Sequence, residues 1–307
     1  MESDDRQLKS EVPGTRQTLS YLRNLFAERG IKPKSKLGQN FLIDLNLLDL
    51  VLRRAQLTRE DLALEAGSGT GSLTVRLAEA AGAVVSVELD PAFAAMVREE
   101  VGDRANVALV HADVLRNKNE LNPEVLHVLH QTQERTGTKR IKLVANLPYA
   151  VAVPVISNLL LTDLPVERMV VTVQWEVGER LIASPGTKDY GALAVLLQSL
   201  ADVELVRRLP PAVFWPRPQV ASAIVAIYPS GKKRQHVGDV RRFRNFLRDL
   251  YTHRRKNLRG GLVSFPGKRF SKEEVDRKLE ELGIPGTTRA ETLDREQHLR
   301  LSAVFGG

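Results

Sequence analysis

The 307-residue chain contains no cysteine. Disulfides, thiolate zinc sites and a cysteine nucleophile are thereby excluded, and the absence is compatible with a cytoplasmic protein. No apolar run reaches the ~18 residues that a membrane-spanning helix needs, so no membrane association is expected. The opening stretch MESDDRQLKSEVPGTRQ is polar and lacks the apolar core of a secretory signal. Internal repeats and low-complexity tracts are also missing. What remains is an ordinary globular composition, 43% hydrophobic and 27% charged. The length suits one large domain plus a small one.

Basic residues strongly outnumber acidic ones in one region. Between Gly231 and Gly260 there are eleven Lys or Arg against two Asp, while the rest of the chain carries thirty-four basic and thirty-five acidic residues. The overall excess of +8 is therefore local. A localised positive face is the footprint of a polyanionic partner.

Residues 1–33 read as a tail with a short helix around Leu22, Leu25 and Phe26. From Asp44, an N-cap candidate, strand and helix patterns alternate. LALEAG, VVSVELD, VALVHAD, IKLVANLPY and RMVVTVQ are near-continuous apolar runs, as expected of parallel strands buried on both faces. Residues 117–140 read as a helix plus a loop. VELVRRL and SAIVAIY have no helix between them and should pair antiparallel at one edge. Beyond Pro229 the strand signal stops. Phe243, Phe246, Leu247, Leu250 and Tyr251 then fall on one helical face. The expectation is an α/β, Rossmann-like sheet over 34–229, followed by a small basic helical domain over 230–307.

The strand ends carry the chemistry. LEAGSGTGS puts Gly67, Gly69 and Gly71 between a strand and a helix, where tight turns let backbone approach a ligand. Glu88 ends the next strand, about twenty residues on, where a carboxylate can accept ribose hydroxyls. Asp113 ends the third and can accept from an adenine amino group. Together they describe a nucleoside crevice at the carboxyl edge of the sheet. NAD fits that outline, but the third glycine of G-x-G-x-x-G is missing. Glu65 also adds negative charge where a pyrophosphate would sit. A ligand bearing an ammonium and a sulfonium, S-adenosylmethionine, suits the site better.

Asn146-Leu147-Pro148-Tyr149 ends the fourth strand at the same edge. An exocyclic amine such as adenine N6 is a poor nucleophile because its lone pair is delocalised. The Asn146 side-chain oxygen and a backbone carbonyl, assigned to Leu147, could hold its two protons off the ring plane. Pro148 fixes that carbonyl and offers no competing N–H. Tyr149 offers a face for a flipped base. The proline-rich PPAVFWPRPQV reads as a stiff loop presenting Phe214 and Trp215.

KLGQNFLID (36–44), EAGSGTG (65–71), VELD (87–90), HAD (111–113), NLPY (146–149), YGALAV (190–195), FWPRPQVASAIV (214–225), HRRKNLRGGL (253–262) and RAETL (289–293) run in order to the chain end. This set resembles the ribosomal RNA small-subunit adenine N6,N6-dimethyltransferase family, whose members dimethylate two adjacent adenosines near the 3′ end of 16S rRNA. The resemblance implies that Gln39, Asn40 and Leu42 lie over the methionine end of the cofactor. It implies that Gly67, Glu88 and Asp113 hold its backbone, ribose and adenine, with Glu65 and Gly69 beside them. It gives Asn146 contact with both cofactor and target nitrogen, and has Phe214 stack on the target base opposite Tyr149. The family usually has Asn-Ile where this chain has Ala150-Val151, and Lys and Asp where it has Gln219 and Ala221.

The basic run 252–261 is expected to hold RNA phosphates through Arg254, Arg255, Lys256 and Arg259, giving affinity and salt dependence rather than base choice. The expected partner is small-subunit rRNA in a pre-30S particle, met by a cytoplasmic monomer. Two other readings stay open: a methylase of the large-subunit rRNA, and a non-catalytic RNA- or assembly-binding protein of the same fold.

Overall fold

The computed structural model describes residues 18–34, 38–253, 255–266 and 270–306. Lys36 and Leu37 of the first motif, Arg254 of the basic run and residues 1–17 lie outside that set.

The chain opens with α1 (Leu19–Glu28), β1 (Phe41–Leu42) and α2 (Leu45–Ala55). Asp44 caps α2, its carboxylate accepting from Asn46 N. Five strand–helix steps follow: β2 (Asp61–Ala66), α3 (Ser72–Ala80), β3 (Ala83–Glu88), α4 (Pro91–Val101) and β4 (Val107–His111); then the hairpin β5 (Leu115–Asn117) and β6 (Glu120–Leu121) with α5 (Pro123–Thr136); then β7 (Arg140–Asn146), α6 (Tyr149–Leu161), β8 (Val166–Gln174), α7 (Trp175–Ile182) and α8 (Ala192–Leu200). The remaining strands are β9 (Ala201–Leu209), the short β10 (Phe214–Trp215) and β11 (Ser222–Pro229). All later elements are helical: α9 (Gly231–Val237), α10 (Val240–Thr252), α11 (Leu258–Val263), α12 (Lys272–Glu281) and α13 (Arg295–Phe305).

The main sheet has the order β4-β3-β2-β7-β8-β11-β9. Its first five strands are parallel, and β11 runs antiparallel between β8 and β9. VELVRRL and SAIVAIY thus pair as their lack of a connecting helix requires. The order steps from β2 on one side to β7 on the other, so the carboxyl ends of β2, β3 and β7 open onto one crevice. Among the described residues, no helix is long and apolar enough to cross a membrane.

Three features depart from the sequence reading. Residues 117–140 begin with the β5–β6 hairpin rather than a helix or loop. Residues 18–28 are not a loose tail: Thr18 caps α1, and Leu22 and Phe26 are buried. The Phe26 ring lies 5.3 Å from both Phe41 and Trp215, so α1 backs the first motif. Finally, the helical segment has no separate core. Phe243, Phe246, Leu247 and Leu250 of α10 join one cluster with Val171 and Val225 of the sheet and Leu196 of α8.

Candidate active site

The glycine loop is held against two other motifs. Gly67 and Gly69 have φ of +82° and +56°, in the left-handed region that side chains rarely adopt. A Cβ at Gly67 would meet Pro148 Cδ at 3.0 Å, and one at Gly69 would meet Phe41 Cε1 at 2.8 Å. Under the loop, Glu65 is 1% exposed. Its Oε2 accepts from Thr74 Oγ1 at 2.5 Å and from Ser86 Oγ at 2.9 Å. Burial pushes the Glu65 carboxyl up to about 7, against the pull of those two hydroxyls, and Glu88 raises it further.

Glu88 ends β3 with both oxygens engaged. Oε2 accepts from Gly69 N at 2.8 Å and Oε1 from Asp90 N at 2.9 Å. Burial raises its pKa, more than these backbone donors lower it. Asp90 caps α4 and was not singled out by the sequence. Its Oδ2 accepts from Gln39 Nε2 at 3.1 Å and pairs with Lys34 Nζ at 2.8 Å. The Gln39 amide is therefore held at the Glu88 end of the crevice. Asp113 is exposed, and its Oδ1 accepts from Leu115 N at 2.9 Å.

Asn146 ends β7. Its Nδ2 donates to the Asn40 carbonyl at 2.7 Å, which fixes the amide orientation because a carbonyl can only accept. The opposite oxygen, Oδ1, accepts from the Thr172 hydroxyl. Thr172 is the register partner of Asn146 on β8. Tyr149 begins α6, and its hydroxyl is 2.6 Å from the buried Ser222 Oγ. Burial raises the Tyr149 pKa while the Ser222 bond lowers it. Thr172 and Ser222 escaped the sequence reading; each is a polar residue set among apolar strand neighbours, the one signal that could have found them.

The nine expected cofactor residues, Gln39, Asn40, Leu42, Glu65, Gly67, Gly69, Glu88, Asp113 and Asn146, meet around one cavity of ≈ 250 Å³. Pro148, Ala150 and Val151 complete its NLPY side, and Phe41 and Phe93 line it too. Leu147, Tyr149 and Phe214 are not among the lining residues. Phe214 corrects the picture of a presented loop aromatic. It is 3% exposed, because β10 pairs antiparallel with β1 in the register Leu42↔Phe214 and Phe41↔Trp215. Its ring packs in the cluster that contains Leu42, Leu47 and Leu209.

Of the expected phosphate ligands, Arg255 is exposed. Lys256 Nζ donates to Ser264 Oγ at 3.0 Å, and Arg259 is ion-paired with Asp276.

Residues 30–305 match the family model described as ribosomal RNA adenine dimethylase. A ribosomal RNA small subunit methyltransferase A of Lachnoclostridium phytofermentans is 36% identical over 89% of this chain and 91% of its own length. A protein of the same description from a Geobacillus species is 37% identical over 91% and 94%. The crystal structure of a dimethyladenosine transferase from Plasmodium falciparum superposes with TM-score 0.67 at 22% identity, over 84% of this chain and 94% of that one. That of the 23S rRNA methyltransferase ErmE gives 0.59 at 25% identity, over 87% and 100%. With a matching model over nearly its whole length and relatives above one-third identity, the chain belongs to the ribosomal RNA adenine dimethylase family.

Proposed function

We propose that this protein uses S-adenosylmethionine to dimethylate N6 of two adjacent adenosines near the 3′ end of small-subunit rRNA. Residues 34–229 would carry cofactor and chemistry, and 230–307 much of the RNA contact. The observation that carries the reading is Asn146, its amide oriented by Asn40, on the wall of a cavity that also holds Glu65 and Glu88.

The cavity suits a cationic nucleoside. Two carboxylates with raised pKa face the same space, so a positive ligand relieves their repulsion and a pyrophosphate would worsen it. Glu88 would accept from the ribose, Asp113 from the adenine amino group, and Gly67 and Gly69 would let backbone lie close to the ligand. When bound, the cofactor supplies an electrophilic methyl group on sulfur.

The chain's own groups would do the rest by position. Asn146 Oδ1 has two lone pairs; Thr172 takes one, and the other can accept a hydrogen bond from the target amine. The Leu147 carbonyl is the assigned second acceptor, aimed by Pro148. Tyr149, tethered by Ser222, would support the base on one face. Phe214 would support the other only after the 210–221 loop shifts, since its ring is buried against Leu42 and Leu209.

The basic C-terminal segment with HRRKNLRGGL and RAETL, and the small-subunit names of the relatives, favour this substrate over large-subunit rRNA. A pre-30S particle in the cytoplasm, met by a monomer, is the setting we propose. The test is direct. Purified protein is incubated with labelled S-adenosylmethionine and small subunits from cells lacking the enzyme, and rRNA nucleosides are analysed by mass spectrometry. N6,N6-dimethyladenosine at the 3′ end is the expected result. Tight subunit binding without transfer would make the chain an assembly factor instead.

A further inference from the structure

The β5–β6 hairpin has no part in the chemistry above, yet it joins two places that matter. Its base is tied to the cavity: Leu115 N donates to Asp113 Oδ1, and Asn122 Nδ2 donates to the Asp113 carbonyl at 2.8 Å. Its tip is tied to α10, where Arg244 Nη2 donates to Asn119 Oδ1 at 2.5 Å. Asn158 of α6 holds the carbonyl of Lys118 at 3.3 Å.

Arg244 is the middle of a stripe. Arg241, Arg244 and Arg248 are spaced i, i+3 and i+7, so they share one face of α10 over two turns. That face points away from the buried side formed by Phe243, Phe246, Leu247 and Leu250. Burial first, then Arg248 and Arg241, lower the Arg244 pKa, as expected where three like charges crowd together. Compensation is slight. Arg248 pairs with its neighbour Asp249, and Arg241 makes no ion pair among the described residues. Lys118 at the hairpin tip adds an exposed cation. The exposed large hydrophobic residues among those described, Leu89, Ile182 and Val220, all lie elsewhere.

We infer that Arg241, Arg244, Arg248 and Lys118 form a second phosphate-binding track, separate from the 254–259 run, along which the rRNA backbone lies. The hairpin holds that track at a fixed distance from Asp113, so a strand bound there approaches the cavity from its Asp113 side. This rests on the rRNA substrate proposed above. A phosphodiester chain fits better than a protein surface, because protein interfaces bury apolar and aromatic anchors and this stripe offers none.

The test is the salt dependence of binding of the full chain to a 3′-terminal small-subunit rRNA fragment. Each phosphate contact adds about 0.7–0.9 to the slope of log affinity against log salt. The variant Lys118→Gln/Arg241→Gln/Arg248→Gln leaves the Arg244–Asn119 bond in place, which protects the fold. Its slope should be shallower than wild type by about 2. A control, Arg53→Gln/Arg98→Gln/Lys139→Gln, removes equal charge from other elements and should keep the wild-type slope. Equal slopes for the two variants would overturn the track. If wild type binds and methylates the rRNA while the track variant keeps its slope, only the track fails. If wild type neither binds nor methylates it, the proposed substrate fails, and the track with it.

Discussion

Thr172 donates its hydroxyl to the side-chain oxygen of Asn146, its register partner on the neighbouring strand. The two residues are 26 apart in sequence, and the bond exists only because β7 and β8 pair in parallel in this register. With Asn40 holding the other end of the amide, the Asn146 oxygen cannot turn away from the crevice.

If that bond positions the oxygen, Thr172→Val should slow methyl transfer by about 10-fold, the equivalent of one net hydrogen bond. Cofactor affinity should stay near wild type, and Thr172→Ser should restore most of the rate. Asn146→Ala should lose at least about 100-fold, as when a preorganised polar group is removed. Single-turnover rates with saturating cofactor check both; a Thr172→Val rate equal to wild type would end the positioning role.

Glu65 should make stability depend on pH. Its carboxyl keeps a proton up to about pH 7 in the folded protein, against 4.5 as the ordinary value. Between these limits the folded state binds more protons than the unfolded one, so stability falls as pH rises through the window. The loss above pH 7 is on the order of 3 kcal/mol. Cofactor-free Glu65→Gln should therefore melt higher than wild type at pH 8, with the gap closing toward pH 5. A gap independent of pH would show that Glu65 does not titrate there.

Glu88→Ala removes the assigned ribose acceptor and also frees Gly69 N. Cofactor affinity should fall about 10- to 100-fold, the range for hydrogen bonds to a charged group. Calorimetric titration with S-adenosylmethionine measures it, and an unchanged dissociation constant would remove Glu88 from the site.

Gly69→Ala combines a left-handed backbone with a Cβ 2.8 Å from Phe41 Cε1. The expected loss is about 1–3 kcal/mol in stability, with weaker cofactor binding because Phe41 lines the cavity. Phe41→Leu in the same chain should recover part of the binding by clearing the contact. Thermal melts and titrations of the single and double variants separate strain from clash.

The strand ends were legible because buried parallel strands are continuous apolar runs, so the residue that breaks each run lies at the crevice. Glu65, Glu88, Asp113 and Asn146 could each be read this way. Thr172 was not: its one signal was a polar side chain among apolar neighbours, and a threonine within VVTVQ still looks like any β-branched strand residue until strand order sets it beside Asn146. Asp90 passed as the last residue of VELD with no role of its own; it caps α4 through one oxygen, and only the fold brings Gln39 and Lys34 to the other. Phe214 was misread because two-residue strands leave no periodicity, so nothing in FWPRPQV announced its pairing with β1. The helix at Leu19–Glu28 was foreseen, but its burial depended on Phe41 and Trp215, which arrive from distant segments.

The undivided core beneath α10 bears on how relatives could be recombined. A chimaera joined near Pro229 would set one parent's Phe243, Phe246 and Leu247 against the other parent's α8 and sheet face. Close packing tolerates few such mismatches. Grafts should succeed only when α8 travels with the helices that follow the sheet, so substrate preference in this family would be inherited along with part of the catalytic scaffold.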